Sequence, residues 1–154
     1  MEDLPQGSGG IRLPIDAAQV KGVPAPKTVF TDNTLHSTTS TTPVLIHSIN
    51  LPTDRVYNLG ARFSVYSGNA GFTTYVKFSL QVRTVFSQKS FDSPVASTTS
   101  STPTTLQIEL DATPLFPLCF ATVVQLYLWT NAGSYPAYSQ REELLADTGK
   151  LVGD

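Results

Sequence analysis

Apolar side chains recur at every second position through the middle of the chain. Between Thr74 and Phe86, Val76, Phe78, Leu80 and Val82 alternate with Lys77, Ser79, Gln81 and Arg83. A period of two places each set on its own face of an extended backbone and predicts a half-buried β-strand. The same pattern runs from Tyr57 to Tyr66, with Leu59, Ala61, Phe63 and Val65 opposite Gly60, Arg62, Ser64 and Tyr66. It returns over Thr104–Asp111, where Leu106, Ile108 and Leu110 face away from Gln107, Glu109 and Asp111. Over Thr122–Thr130 it sets Val124, Leu126 and Leu128 against Val123, Gln125, Tyr127 and Trp129. The β-branched run Thr28–Thr34 and the apolar run Val44–Asn50 make six strands, and weaker candidates near Phe91 and Phe120 make eight. The inward set from Phe63 to Leu128 is the predicted core.

Turn chemistry separates these runs, as in Ser67-Gly-Asn-Ala-Gly71. No stretch between Lys27 and Ser134 sustains a 3.6-residue period, and no internal repeat stands out. Evenly spaced strands with one polar face predict an all-β, antiparallel β-sandwich of jelly-roll type over residues 28–136. They argue against a parallel α/β sheet. The Ser/Thr hexads 37–42 and 97–102, each followed by proline, read as exposed loops or edge strands.

The two ends read differently. Residues 1–27 form an extended N-terminal arm, because Pro5, Pro14, Pro24, Pro26 and the Gly7–Gly10 run block regular structure. Ile11, Leu13, Ile15, Val20 and Val23 lie between these breakers, and a free tail is more polar than this. The arm is therefore expected to pack on another chain, the alternative being its own domain. At the other end, residues 137–154 form a tail in which Ser139-Gln-Arg-Glu142 matches a capping box and Gly149 a stop. The spacing predicts a short C-terminal helix from about Gln140 to Asp147.

Composition narrows the function. Charged residues make up 14% of the 154, against about 25% in an ordinary soluble domain. The net charge of −2 argues against nucleic acid as a partner. No apolar run reaches the roughly 18 residues of a membrane span, and the acidic, Gly/Pro-broken start does not read as a secretory signal. Without such a signal the Ser/Thr loops are not expected to carry glycans, and no Asn-X-Ser/Thr site occurs.

Candidate chemistry is thin. The two histidines, His36 and His47, are eleven residues apart on different elements, and no ligand spacing ties Asp32 or Asp54 to them. No metal site, cofactor or catalytic residue is expected. The single cysteine, Cys119, sits among apolar neighbours and reads as a small hydrophobe. No Gly-X-Ser-X-Gly elbow or phosphate loop is present, and Glu109 and Asp111 on a polar strand face read as solvated. The stronger signal is aromatic: Tyr127 and Trp129 share the outward face of their strand, with Tyr66, Tyr75, Tyr135 and Tyr138 as possible extensions. Such rings suit a protein interface or a sugar. The expected interface is thus Ile11, Leu13, Ile15, Val20 and Val23 of the arm with Tyr127 and Trp129 of the sheet.

An arm, a Ser/Thr-rich sandwich and a short tail together resemble small virion structural proteins of tailed bacteriophages, of the head decoration (cement) or tail and fibre-base type. The resemblance implies a non-catalytic, homo-oligomeric capsid decoration protein. It would assemble in the host cytoplasm and bind copies of itself and other virion proteins, such as a major capsid or tail protein. The alternative is a carbohydrate- or receptor-binding module of a fibre, with a glycan as ligand.

Overall fold

The computed structural model describes residues 27–51, 58–84, 87–111 and 119–146. The arm residues Ile11, Leu13, Ile15, Val20 and Val23 lie outside that set. Among the described residues there are ten strands: β1 (Lys27–Asp32), β2 (His36–Thr38), β3 (Val44–Leu51), β4 (Asn58–Ser67), β5 (Thr74–Thr84), β6 (Gln88–Asp92), β7 (Ala96–Thr98), β8 (Thr104–Asp111), β9 (Cys119–Thr130) and β10 (Ala137–Ala146). All pair antiparallel. One sheet runs β1-β10-β4-β8 with β2 also on β10; the other runs β3-β9-β5-β6 with β7 also on β5.

The core lies where the alternation placed it. Phe63, Val65, Val76, Phe78, Leu80, Val82, Ile108, Val124, Leu126 and Leu128 are buried, while Leu106 and Leu110 are half-buried against them. Leu59, Ala61, Ala137, Leu144 and Ala146 join them from β4 and β10.

The expected C-terminal helix is not formed over residues 140–146, which belong to β10; Asp147 lies outside the described residues. β10 is a central strand, paired with β1 and β2 on one side and with β4 on the other. A helix of about eight residues is marginal by itself, and two full ladders outweigh its capping signal. The capping-box serine finds other work: the Ser139 hydroxyl donates to the Glu142 carboxylate within the strand.

The fold is also internally duplicated, which the sequence reading missed. Exchanging β1/β2 with β6/β7, β3 with β8, β4 with β9 and β5 with β10 turns one sheet order into the other. The two Ser/Thr corners repeat bond for bond. Thr38 Oγ1 accepts from Ser40 N at 3.0 Å and Thr42 N donates to Ser40 Oγ at 3.1 Å; Thr98, Ser100 and Thr102 do the same at 3.2 and 3.1 Å. Each corner also receives a strand-end amide, Thr130 N to Ser40 O at 2.9 Å and Ser67 N to Ser100 O at 2.8 Å.

Candidate functional site

At one place, among the described residues, ionisable side chains from both sheets meet. Asp32 ends β1, His36 opens β2, His47 lies on β3 and Glu142 on β10. One ligand atom from each of the four lies within 4.8 Å of the others. Three of these residues come from one sheet and His47 from the facing one.

Local irregularities aim these side chains. Along β3, Val44 and Ile46 turn inward, and a bulge between Leu45 and His47 then shifts the phase so that His47, Ile49 and Leu51 turn inward instead. Along β10, Ala137 and Ser139 are buried, both Gln140 and Arg141 are exposed, and burial resumes at Glu142. The ladder shift between Ser139 and Arg141 exchanges the two glutamates, sending Glu142 inward and Glu143 outward. A one-residue insertion of this kind re-aims every later side chain. β1 carries a third shift, between Thr28 and Phe30, and then pairs Asp32 with Glu142. The segment between β1 and β2 is short enough that Asp32 and His36 approach each other directly.

The contacts form a closed ring. His36 Nε2 lies 2.8 Å from Asp32 Oδ2 and 3.5 Å from Glu142 Oε1; His47 Nε2 lies 3.2 Å from Asp32 Oδ2 and 2.7 Å from Glu142 Oε1. The rings of His36 and Phe30 each meet His47 edge-on, with centroids 4.8 Å apart. Exposure rises from 0% for the Glu142 side chain to 15% for His47, 23% for Asp32 and 25% for His36, so the ring closes at depth and opens to solvent at β1 and β2.

Burial pushes the Glu142 carboxyl above its ordinary 4.5, against the hydrogen bonds from Ser139 and His47. Asp32, nearer the surface, is held down to about 2 from 3.8, chiefly by its hydrogen bond with His36. The other oxygen of each carboxylate is occupied: Thr34 N donates to Asp32 Oδ1 at 3.2 Å, and the Ser139 hydroxyl to Glu142 Oε2.

This is not a hydrolytic triad. The acid stands between the serine and the histidine, so the Ser139 proton goes to a carboxylate and not to an imidazole that could activate the oxygen. Two imidazole nitrogens and two carboxylate oxygens are, however, donors that could hold a metal ion. Sequence spacing had set the histidines apart; the sheet crossing brings them together, and Asp32 joins them while Asp54 lies outside the described residues. Glu142 was missed because the capping-box reading placed it on a helix.

Tyr127 and Trp129 do face outward, both half-buried. Trp129 stacks on Tyr75 with centroids 5.2 Å apart, and Lys77 Nζ sits 5.5 Å from the Tyr127 ring. Tyr66 and Tyr138 stack on each other on strands of the other sheet, and Tyr135 meets Phe72. These rings therefore do not make one patch. Glu109 is exposed and accepts from Gln107 at 2.8 Å.

No family model matches the chain, and no curated protein matches it in sequence. Solved structures do match its fold. The T=1 particles derived from infectious bursal virus align with a TM-score of 0.54 at 15% identity, over 80% of this chain and 32% of that one. The VP2 subviral particle of infectious bursal disease virus gives 0.54 at 10% identity, over 84% and 34%. The T13 particle of that virus gives 0.51 at 8% identity, over 80% and 31%. The chain thus spans about a third of the length of each neighbour. The likeness to these particles is one of β-sandwich fold, and the virus they come from is not a tailed bacteriophage.

Proposed function

We propose that the chain is a non-catalytic structural protein of a virus particle, with its jelly roll as a unit of the protein shell. The observation that carries this reading is the strand order, with β1/β2-β10-β4-β8 facing β3-β9-β5-β6/β7. Counting each split strand once leaves eight strands in two sheets, the double-sheet jelly roll used by viral capsid domains. The particle structures of infectious bursal disease virus that share the fold support it. A shell unit fits these neighbours better than a decoration protein does. Its partners are copies of itself and other virion proteins, and its place is the virion.

In this reading the arm supplies the reach. Twenty-seven residues span at most roughly 90 Å when extended, and the Gly/Pro spacing of Ile11, Leu13, Ile15, Val20 and Val23 lets them follow a neighbour's surface. Tyr127 and Trp129 supply the second contact. The test is sedimentation velocity and electron microscopy of the untagged chain beside a variant lacking residues 1–26. We expect the full chain to form oligomers or closed particles, and the shortened chain to stay folded by circular dichroism but monomeric. A full chain that remains monomeric and binds a glycan array through Trp129 would instead establish the carbohydrate-binding alternative.

A further inference from the structure

We propose that Asp32, His36, His47 and Glu142 form a binding site for a divalent first-row transition ion, with Zn²⁺ as the best-fitting occupant, which clamps the two sheets together. Four features of the molecule argue for this.

The first is the spacing of the donors. Nitrogen and oxygen alternate around the ring, with edges of 2.8, 3.2, 2.7 and 3.5 Å. A tetrahedral zinc with bonds of about 2.0–2.1 Å holds its ligands about 3.3 Å apart. The observed edges bracket that value, and the separations across the ring stay within 4.8 Å, so an ion would seat by drawing opposite donors inward. Imidazole nitrogen also separates the candidates, because Ca²⁺ and Mg²⁺ take oxygen ligands.

The second is a count of protons. Each Nε2 carries at most one. Those two protons serve the 2.8 and 2.7 Å edges as hydrogen bonds and leave the 3.2 and 3.5 Å edges with no proton of their own. A single cation at the centre satisfies the four donors together, and its two positive charges balance the two carboxylates.

The third is the outer shell. On each carboxylate one oxygen is already tied, Asp32 Oδ1 by the Thr34 amide and Glu142 Oε2 by the Ser139 hydroxyl. Both leave the remaining oxygen turned toward the imidazoles. Fixing a ligand's orientation through its second atom is the usual support of a metal site.

The fourth comes from the internal duplication. Where β2 pairs His36 with Ser139, the matching strand β7 pairs Ala96 with Val76. Asp92, the counterpart of Asp32, points to solvent and meets Lys77 at 3.3 Å with 60% of its side chain exposed. At the equivalent position the jelly roll therefore closes with only the hydroxyls of Ser79 and Ser93 buried, and a ring of four ionisable groups answers a demand other than folding.

The test is calorimetric titration of the untagged, EDTA-stripped full chain with ZnCl₂, with MgCl₂ and CaCl₂ alongside, and visible absorption after Co²⁺ loading. We expect one Zn²⁺ per chain, no comparable Mg²⁺ or Ca²⁺ binding, and tetrahedral cobalt bands. Affinity should weaken at least about 100-fold in His36→Gln and in Glu142→Gln, more than the loss of an outer-shell group causes. At 100-fold excess over the dissociation constant, Zn²⁺ should raise the melting temperature by roughly 5–10 °C in the native chain and not in these variants. His36→Gln sits at the more exposed rim and keeps the comparison usable if Glu142→Gln misfolds; the cobalt spectrum of the native chain needs no variant at all. Undiminished Zn²⁺ affinity in a His36→Gln/His47→Gln double variant, or a native chain that binds no Zn²⁺ and gives no tetrahedral cobalt bands, would overturn the proposal and leave the ring as a hydrogen-bonded network only.

Discussion

Replacing His47 by alanine in metal-free buffer isolates the energetics of the ring itself. The imidazole lies 2.7 Å from Glu142 Oε1, and the Glu142 side chain has no exposed surface. Truncation leaves that oxygen without its closest partner, a loss of about 1–3 kcal/mol for a buried polar group. The imidazole also packs edge-on against the Phe30 and His36 rings, and such pairs contribute about 0.5–1.5 kcal/mol each. Water can enter from the β1–β2 side and rehydrate part of the gap, so the sum comes to roughly 2–4 kcal/mol. Glu142→Gln behaves differently. It keeps the shape, its amide oxygen accepts from one of Ser139 and His47 while its NH₂ donates to the other, and it removes a charge that burial disfavours, so we expect a change within about 1 kcal/mol. Urea unfolding in EDTA measures both. For a domain of this size, His47→Ala should lower the melting temperature by roughly 5–15 °C. A His47→Ala loss below about 1 kcal/mol, or a Glu142→Gln loss equal to it, would show that the ring is not tightly formed in solution and would refute the reasoning.

Four further outcomes are expected. Phe78→Ala, at a fully buried position of central strand β5, should cost about 3–5 kcal/mol in the same urea assay. Gly68→Ala would set a Cβ 2.9 Å from Pro136 Cδ and 3.0 Å from its carbonyl oxygen, and thermal melts should show it costing about 1–3 kcal/mol. Gly71→Ala meets no atom within 4 Å, so its cost is only that of a positive φ of 93°, about 1–2 kcal/mol. Arg141, with Arg62, holds the Glu143 carboxyl below its ordinary 4.5, so its contribution is complete above pH 4.5 and fades as the pH falls through the lowered value. Glu143→Gln should therefore cost under about 1 kcal/mol at pH 7, and its urea midpoint should converge with that of the native chain on acidification.

The legible part of the fold was the part governed by one face of one strand. Val76, Phe78, Leu80 and Val82 alternate without interruption, and β5 is regular over the same span. β10 was misread because its alternation is broken by the bulge at Gln140 and Arg141, which makes Ser139-Gln-Arg-Glu142 look like a helix start. β2 and β7 are three residues each, too short to show a period. The polar ring was illegible for a related reason, since its members are 95 residues apart in the case of His47 and Glu142 and two of them owe their direction to bulges. A signal for the duplication did exist. His36-Ser-Thr-Thr-Ser-Thr-Thr-Pro43 and Ala96-Ser-Thr-Thr-Ser-Ser-Thr-Pro103 align residue for residue, as do Asn69-Ala-Gly71 and Asn131-Ala-Gly133. Read together, they would have placed the two corners on equivalent strands and pointed to His36 as the departure from the pattern.

The interruptions of the outer strands have a bearing on solubility. β1 and β2 are separated by residues 33–35, and β6 and β7 by residues 93–95, so one border of each sheet is broken into short lengths. An uninterrupted border strand offers a template on which another chain can extend the hydrogen-bonded ladder without limit. A protein whose proposed task is to crowd against copies of itself meets that hazard at every encounter. Broken borders offer only a few consecutive amides and carbonyls before the register is lost. Association along them is thereby left to side chains, which can specify a neighbour and a stopping point where backbone pairing cannot.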